Sequence, residues 1–163
     1  MVESQRMDIT RLAPEAYRHL LQLEQVIGGK LDKQLYHLLK IRASQINGCA
    51  YCIGMHSDQA IRDGETPERL LLLDAWHESS AFSEKERAVL EWVEELTLIA
   101  DGHASKEAFD GLKRFFSEEE IAYLTLAGSL INTWNRIAIA SRGQYDRAQL
   151  QQRVTEARVA EPA

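Results

Sequence analysis

The chain has 163 residues, of which 45% are hydrophobic and 27% are charged, a balance that is typical of a soluble globular protein and excludes a disordered chain. With 19 basic and 25 acidic residues the formal net charge is -6, so electrostatics gives no reason to expect nucleic acid or an anionic membrane as the main partner. Two cysteines, Cys49 and Cys52, are too few for a disulfide framework.

The first residues contain no targeting signal. Met1 to Asp8 is polar and of mixed charge, without the apolar core of a signal peptide. The most apolar window, Ile121 to Ile139, is interrupted by Asn132, Asn135 and Arg136, whereas a spanning helix needs about 18 apolar residues in a row. We therefore expect a cytoplasmic protein, in which paired thiols are more often catalytic or metal-binding than structural.

The sequence predicts an all-α fold, because no window alternates apolar and polar residues over the roughly six positions of a half-buried strand. Turn residues divide the first half of the chain into four helices. These are expected from Pro14 to Gly28–Gly29, from near Asp32 to Asn47–Gly48, from Cys49 to Gly64 and, after a Thr66–Pro67 N-cap, over Leu70 to Trp76.

Capping boxes organise the second half of the chain. The predicted elements are a helix from the Ser83/Glu86 capping box to Asp101–Gly102, a short helix over Ser105 to Phe115, an apolar helix from the Ser117/Glu120 capping box, and a surface or arm helix over Arg147 to Arg158. We expect a single-domain bundle of about six to eight helices over 1–163. Its core is expected over about 12–143, with a C-terminal arm or tail over 144–163.

The segment from Ser44 to His56 contains the most informative pattern, Cys-x-x-Cys-x-x-x-His. If Gly48 ends one helix and Cys49 begins the next, Cys49, Cys52 and His56 occupy positions i, i+3 and i+7 on one helix face. Backbone N–H groups of the first turn favour both thiolates, and the imidazole can accept or pass on a proton. A thiolate that a peroxide oxidises to a sulfenic acid condenses with a second thiol to a disulfide, which a reductant thiol reopens.

Two other interpretations of the cysteine pair stay open. Both side chains could be small buried hydrophobic groups, although the histidine on the same face and the preceding glycine argue against this. They could also form half of a structural zinc site, which needs four ligands. The chain has no second cysteine pair, and its remaining histidines lack the short spacing that completes such a site; these are His19, His37, His77 and His103.

Ser44 to His56, with the helix before it, resembles the core motif of the carboxymuconolactone decarboxylase superfamily in its alkylhydroperoxidase D-like branch. Ile131 to Arg136 is similar to the Asn-x-Trp-Asn-Arg signature of small single-domain members. Glu86 to Ala88 (Glu-Arg-Ala) and Phe116 to Glu120 (Phe-Ser-Glu-Glu-Glu) extend the resemblance to most of the chain from Leu31 to Arg142.

The resemblance implies an all-helical fold that assembles into trimers or hexamers and acts as a thiol peroxidase or disulfide oxidoreductase. It implies that Cys52 reacts with a hydroperoxide, that Cys49 is its disulfide partner and that His56 is a proton relay. The implied partners are a hydroperoxide and a dithiol or thiol-protein reductant, and no cofactor is expected. Two alternatives stay open: a decarboxylase-type lyase, whose members do not depend on a Cys-x-x-Cys pair, and a non-catalytic helical oligomer whose thiols bind zinc or sense oxidation.

His37 departs from the family pattern, which places a glutamate twelve residues before the first cysteine. A carboxylate there would orient and charge the relay histidine, whereas an imidazole passes a proton but has no fixed negative charge. Three interpretations of His37 stay open. It replaces the glutamate as the base, or the proton relay is weakened and the cysteine pair serves disulfide exchange more than peroxide attack, or His37 is a solvated helix residue.

The apolar helix contains polar residues that need partners. We expect Asn132, Asn135 and Arg136 to form a structural network or a subunit contact, because polar side chains inside an apolar helix are hydrogen-bonded. Trp134 is expected in the core or in an interface, and a place in a substrate pocket is the alternative.

Overall fold

The computed structural model of the protein describes residues 4–146, which are helical almost throughout. The helices are α1 (Ile9–Leu12), α2 (Pro14–Gly28), α3 (Lys33–Ile46), α4 (Ala50–Arg62), α5 (Pro67–Leu72), α6 (Glu84–Thr97), α7 (Ile99–Gly102), α8 (Lys106–Lys113) and α9 (Glu118–Ser141). No strand occurs within residues 4–146, so the all-α prediction is confirmed. The helix expected over Arg147 to Arg158 lies outside the described residues.

Side chains at the predicted positions start the long helices. In both capping boxes the serine side chain accepts from the backbone N–H three residues on, and the glutamate accepts from the serine N–H. These boxes are Ser83 with Glu86 before α6 and Ser117 with Glu120 before α9. Asp32 caps α3 in the same way by accepting from the N–H of Leu35.

Two helices are shorter than expected, and two four-residue helices were not expected. α5 ends at Leu72 and continues as a 3-10 turn over Leu73–Ala75. α6 ends at Thr97 rather than at Gly102, because the next residue, Leu98, leaves the helical conformation with φ -98° and ψ 37°. The Glu95 carboxylate holds the chain beyond this break by accepting from the N–H and hydroxyl of Ser105 at 2.9 and 2.7 Å.

Helix α3 lies at the centre of the fold, between α4, α6 and α9. Its Leu35 and Leu39 pack in one core cluster with α6, α8 and α9, while Leu38 and Ile41 pack in a second cluster with α4, α5 and α6. Nine of its 14 residues are buried, so its polar residues are inside the protein and need partners. α9 contributes Leu124, Leu130 and other residues to the first cluster.

Within residues 4–146 no helix is both long and apolar enough to span a membrane. The assembly into trimers or hexamers that the sequence led us to expect concerns contacts between chains and stays a prediction.

Candidate active site

The two cysteines lie at the joint between α3 and α4. Gly48 has a φ of +65°, a left-handed conformation that glycine adopts without strain. The N–H of Cys49 donates to the carbonyl of Ser44 at 2.9 Å, which completes a Schellman-type helix ending and confirms the predicted stop. Cys49 is thereby the N-cap residue of α4, and Cys52 and His56 follow within that helix.

The thiol of Cys49 is acidic for a cysteine. Both cysteines are free and buried, and a hydrogen bond from the Cys52 thiol lowers the pKa of Cys49 from 9.0 to about 7, although burial opposes this. The backbone N–H groups of Cys52 and Tyr51 and the side chain of Asn135 also lower the pKa of Cys49. The first turn of α4 therefore stabilises one thiolate near neutral pH.

The thiol of Cys52 ionises less readily than a free cysteine. Its hydrogen bond to Cys49, its burial and the negative charge of Cys49 all raise the pKa of Cys52. The expectation that the helix start favours both thiolates is therefore wrong for Cys52. The pair loses its two protons in linked steps, with the first negative charge on Cys49.

Cys52 and His56 line a cavity of about 350 Å³ between α2, α4 and α9, whereas Cys49 is not part of the lining. The other walls include the aromatic rings of Tyr17, Tyr51 and Trp134, and the Tyr17 and Trp134 rings meet edge to face with centroids 5.3 Å apart. Trp134 thus packs against the core, as expected, and also lines the cavity. The volume is that of a small-molecule site.

His56 is a neutral imidazole with one free lone pair. Its Nδ1 lies 3.0 Å from Oε1 of Gln59, and because an amide oxygen only accepts, Nδ1 carries the hydrogen. Its Nε2 is buried and has no hydrogen-bond partner among residues 4–146. Burial, followed by the charge of Lys40, lowers the pKa of His56 to about 4, so the ring is neutral and Nε2 keeps its lone pair at neutral pH.

A charged pair beside the cavity was not anticipated from the sequence. The ammonium of Lys40 and the hydroxyl of Tyr36 donate to the same carboxylate oxygen of Glu24 at 3.3 and 2.6 Å. The indole N–H of Trp134 donates to the other oxygen at 3.1 Å. Glu24 is on α2, far from the motif in sequence. The one sign of such a partner was Lys40 itself, a charged residue among consecutive buried positions of α3.

His37 is a buried residue of α3 and is not in the cavity lining. Its Nε2 donates to Oδ2 of Asp63 at 2.7 Å. With 5% of its surface exposed, His37 is not a solvated helix residue, and that interpretation is wrong. Its part in a proton relay stays a prediction.

Asparagines of α9 connect the site to the rest of the fold, which confirms the expected network. Asn135 is fully buried, accepts from Nδ2 of Asn47 at 2.8 Å and donates to Oγ of Ser44 at 3.0 Å. Asn132 accepts from the same Asn47 amide at 2.9 Å. Asn135 also hydrogen-bonds both cysteines and lowers the pKa of each, a contact with the thiols that the sequence analysis missed.

The geometry can be compared with known proteins. Residues 14–95 match the model of the Carboxymuconolactone decarboxylase family. The uncharacterized protein YdfG of Bacillus subtilis (strain 168) is 38% identical over 138 residues, which are 84% of this chain and 94% of that protein.

Solved structures agree with this match. A protein of unknown function from Agrobacterium tumefaciens, proposed to be an antioxidant defence protein AhpD, is similar with a TM-score of 0.85 and 40% identity over 88% of this chain and 99% of its own. The alkylhydroperoxidase AhpD core of an uncharacterized peroxidase-related protein from Ralstonia eutropha JMP134 shares the fold, with a TM-score of 0.76 and 15% identity over 85% of this chain and 75% of its own. The chain belongs to the carboxymuconolactone decarboxylase family, in its AhpD-like branch.

Proposed function

We propose that the protein is a thiol-dependent peroxidase or disulfide oxidoreductase in which Cys49 and Cys52 cycle between dithiol and disulfide. The observation that supports this best is the pair of free, buried thiols at a helix start, with Cys49 as the N-cap residue of α4. One of the two lines a cavity beside the neutral imidazole of His56. A peroxide in this cavity would therefore meet a nucleophile, the thiol, and a proton carrier, the imidazole, at one place.

In the first step the Cys52 thiol, which faces the cavity, passes its proton to Nε2 of His56 or to the Cys49 thiolate. The Cys52 thiolate then attacks the terminal oxygen of the hydroperoxide, and the O–O bond breaks. Cys52 becomes a sulfenic acid, oxidised by two electrons, and the alkoxide takes the released proton back from His56 or Cys49 to leave as an alcohol.

In the second step the sulfur of Cys49 attacks the sulfenic acid. The S–S bond forms while hydroxide leaves and takes a proton from the solvent to become water. An external dithiol then attacks the disulfide, leaves as its own disulfide and restores both thiols. The low pKa of Cys49 supports this step, because it keeps the resolving sulfur as a thiolate near neutral pH.

The cavity favours an organic hydroperoxide over hydrogen peroxide. Its aromatic wall offers apolar contact to a carbon body that hydrogen peroxide does not have. We expect Trp134→Ala to raise KM for an aromatic hydroperoxide more than for hydrogen peroxide. Equal effects on both would contradict this preference.

A coupled assay with several hydroperoxides and dithiol reductants tests the function. We expect turnover in the wild type and its loss in Cys49→Ser and in Cys52→Ser, while His19→Ala, which changes an exposed histidine, serves as the control for His56→Ala. One equivalent of peroxide should remove two free thiols per chain. Inert thiols would refute the proposal, and turnover of disulfides alone would restrict it to an oxidoreductase.

The zinc content of the same protein preparation distinguishes the proposed enzyme from a zinc-binding protein. Within residues 4–146 no three or more His, Cys, Asp or Glu side chains are grouped as metal ligands. One zinc ion per chain that blocks thiol oxidation would favour a non-catalytic metal-binding protein.

A further inference from the structure

Lys40 is a buried cation in the wall of the cavity that Cys52 also lines. Only 5% of its surface is exposed, and it lies among consecutive buried residues of α3. Among the described residues that line the cavity, it is the one lysine or arginine. A buried ammonium is costly to desolvate unless its charge and its N–H groups find partners. The partners of Lys40 therefore indicate what the cavity can bind.

Within the protein, these partners use only part of the ammonium. Its three N–H donors meet one hydrogen-bond acceptor within residues 4–146, Oε1 of Glu24 at 3.3 Å. The other contact of Nζ is the ring of Tyr36, whose centroid is 4.0 Å away. One donor is thus left for a group inside the cavity, and a ligand with an oxygen atom supplies the missing acceptor.

Glu24 fixes the ammonium in its position. The Glu24 carboxylate itself accepts from the hydroxyl of Tyr36 at 2.6 Å and from the indole N–H of Trp134 at 3.1 Å. Burial lowers the pKa of Lys40, and the charge of Glu24 opposes this by favouring the ammonium form. A charged donor that is held in place before the ligand arrives needs no reorganisation when negative charge develops beside it, which is the property of an oxyanion site.

We propose that Lys40 is a catalytic residue that binds the oxygen atom next to the carbon body of an organic hydroperoxide. The inference rests on the proposed function, in which the Cys52 thiolate attacks the terminal oxygen. As the S–O bond forms, the O–O bond breaks and its electron pair passes to the inner oxygen. The Lys40 ammonium donates a hydrogen bond to this developing alkoxide and keeps its own protons, while the proton released by Cys52 converts the alkoxide to the alcohol.

The first test varies the leaving group. The rate at which free thiols are lost is measured by rapid quench with cumene hydroperoxide, which releases an alkoxide, and with peroxybenzoic acid, which releases the much weaker base benzoate. Lys40→Met keeps an unbranched side chain but removes the charge and the donors. We expect it to slow the reaction with cumene hydroperoxide about 100-fold and the reaction with the peracid at most about fivefold, because benzoate needs little stabilisation.

The matched control removes the charge of Glu24 as well. In Lys40→Met the Glu24 carboxylate has lost its cation, and its charge would repel the thiolate whichever peroxide is used. The double variant Glu24→Gln/Lys40→Met has neither charge. If the lost donor is the cause, the double variant should still distinguish the two peroxides. Thermal unfolding of each variant confirms that the fold is retained.

The second test needs no peroxide. In Cys49→Ser protein Cys52 is the only thiol, and a ligand in the cavity slows its alkylation by iodoacetamide. The concentrations of benzyl alcohol and of toluene that halve this rate measure the affinity for each. Lys40→Met should weaken the binding of benzyl alcohol about tenfold, which is the loss expected for a hydrogen bond to a charged donor. It should leave toluene unchanged, because toluene has no oxygen atom.

Three results would overturn the inference. These are equal slowing with the two peroxides, loss of their difference in the double variant, and an affinity for benzyl alcohol that does not depend on Lys40. A protein whose thiols neither peroxide oxidises would lose the proposed function. The affinity for benzyl alcohol would then decide by itself whether Lys40 binds the oxygen of a ligand.

Discussion

Replacing Cys52 by alanine should return the thiol of Cys49 toward its ordinary acidity. The pKa of Cys49 is about 7 instead of 9.0, and the hydrogen bond from Cys52 is the largest cause. A shift of two pH units corresponds to about 2.7 kcal/mol in favour of the thiolate. The backbone N–H groups of α4 and Asn135 remain in the variant, so we expect them to retain part of the shift and the pKa to rise by about one unit.

The measurement is the ultraviolet absorbance of the thiolate as a function of pH, which does not require a reagent to reach a buried sulfur. Wild-type protein should gain one thiolate in a transition near pH 7. Cys52→Ser is the matched control, because its hydroxyl still donates a hydrogen bond. The serine variant should therefore titrate closer to the wild type than the alanine variant does.

Two results would refute this reasoning. If Cys52→Ala titrates near pH 7 like the wild type, the helix start alone sets the acidity of Cys49. If alanine and serine raise the pKa of Cys49 equally, the hydrogen bond is not the cause. In either case the linked ionisation of the two thiols would have to be abandoned.

Three further predictions concern stability. The pKa of His56 is about 4 in the fold, against an ordinary value of 6.5, so the unfolded chain binds a proton at a higher pH than the folded chain does. The free energy of unfolding should therefore fall by about 1.4 kcal/mol for each unit by which the pH is lowered from 6.5 to 4. In His56→Gln, the free energy of unfolding from urea titrations should depend less steeply on pH. Asn135→Ala leaves Asn47 and Ser44 short of partners and should lower that free energy by about 1–3 kcal/mol while raising the pKa of Cys49. Ser117→Ala removes a cap and should lower the free energy by about 0.5–2 kcal/mol without changing the thiol titration.

Local signals in the sequence predict much of this fold. Helix starts such as Ser83 and Ser117 and the stop at Gly48 depend on contacts within a few residues, so the sequence pattern contains them. The position of Cys49, Cys52 and His56 on one helix was predictable for the same reason. The end of α6 at Thr97 was not, because a contact across a loop, from Glu95 to Ser105, holds the chain there.

Long-range partners of the site were not predictable. Glu24 reaches the cavity only because α2 packs against α9. Glu24 and Lys40 are too far apart in the chain for their spacing to predict the contact between them. Asp63 follows the last residue of α4, and its carboxylate contacts His37 of α3, 26 residues earlier in the chain. Contacts of this kind follow from helix packing and not from periodicity.

Charges around the cysteines favour the reduced pair over the disulfide. In the dithiol state Cys49 bears a negative charge near neutral pH, stabilised by N–H groups of α4 and by Asn135. A disulfide has no such charge, so all of these interactions are lost on oxidation. Because whatever stabilises the reduced form makes a disulfide more oxidising, the Cys49–Cys52 bridge should be reopened easily by a thiol reductant, which is the property that a catalytic cycle requires and a structural disulfide lacks.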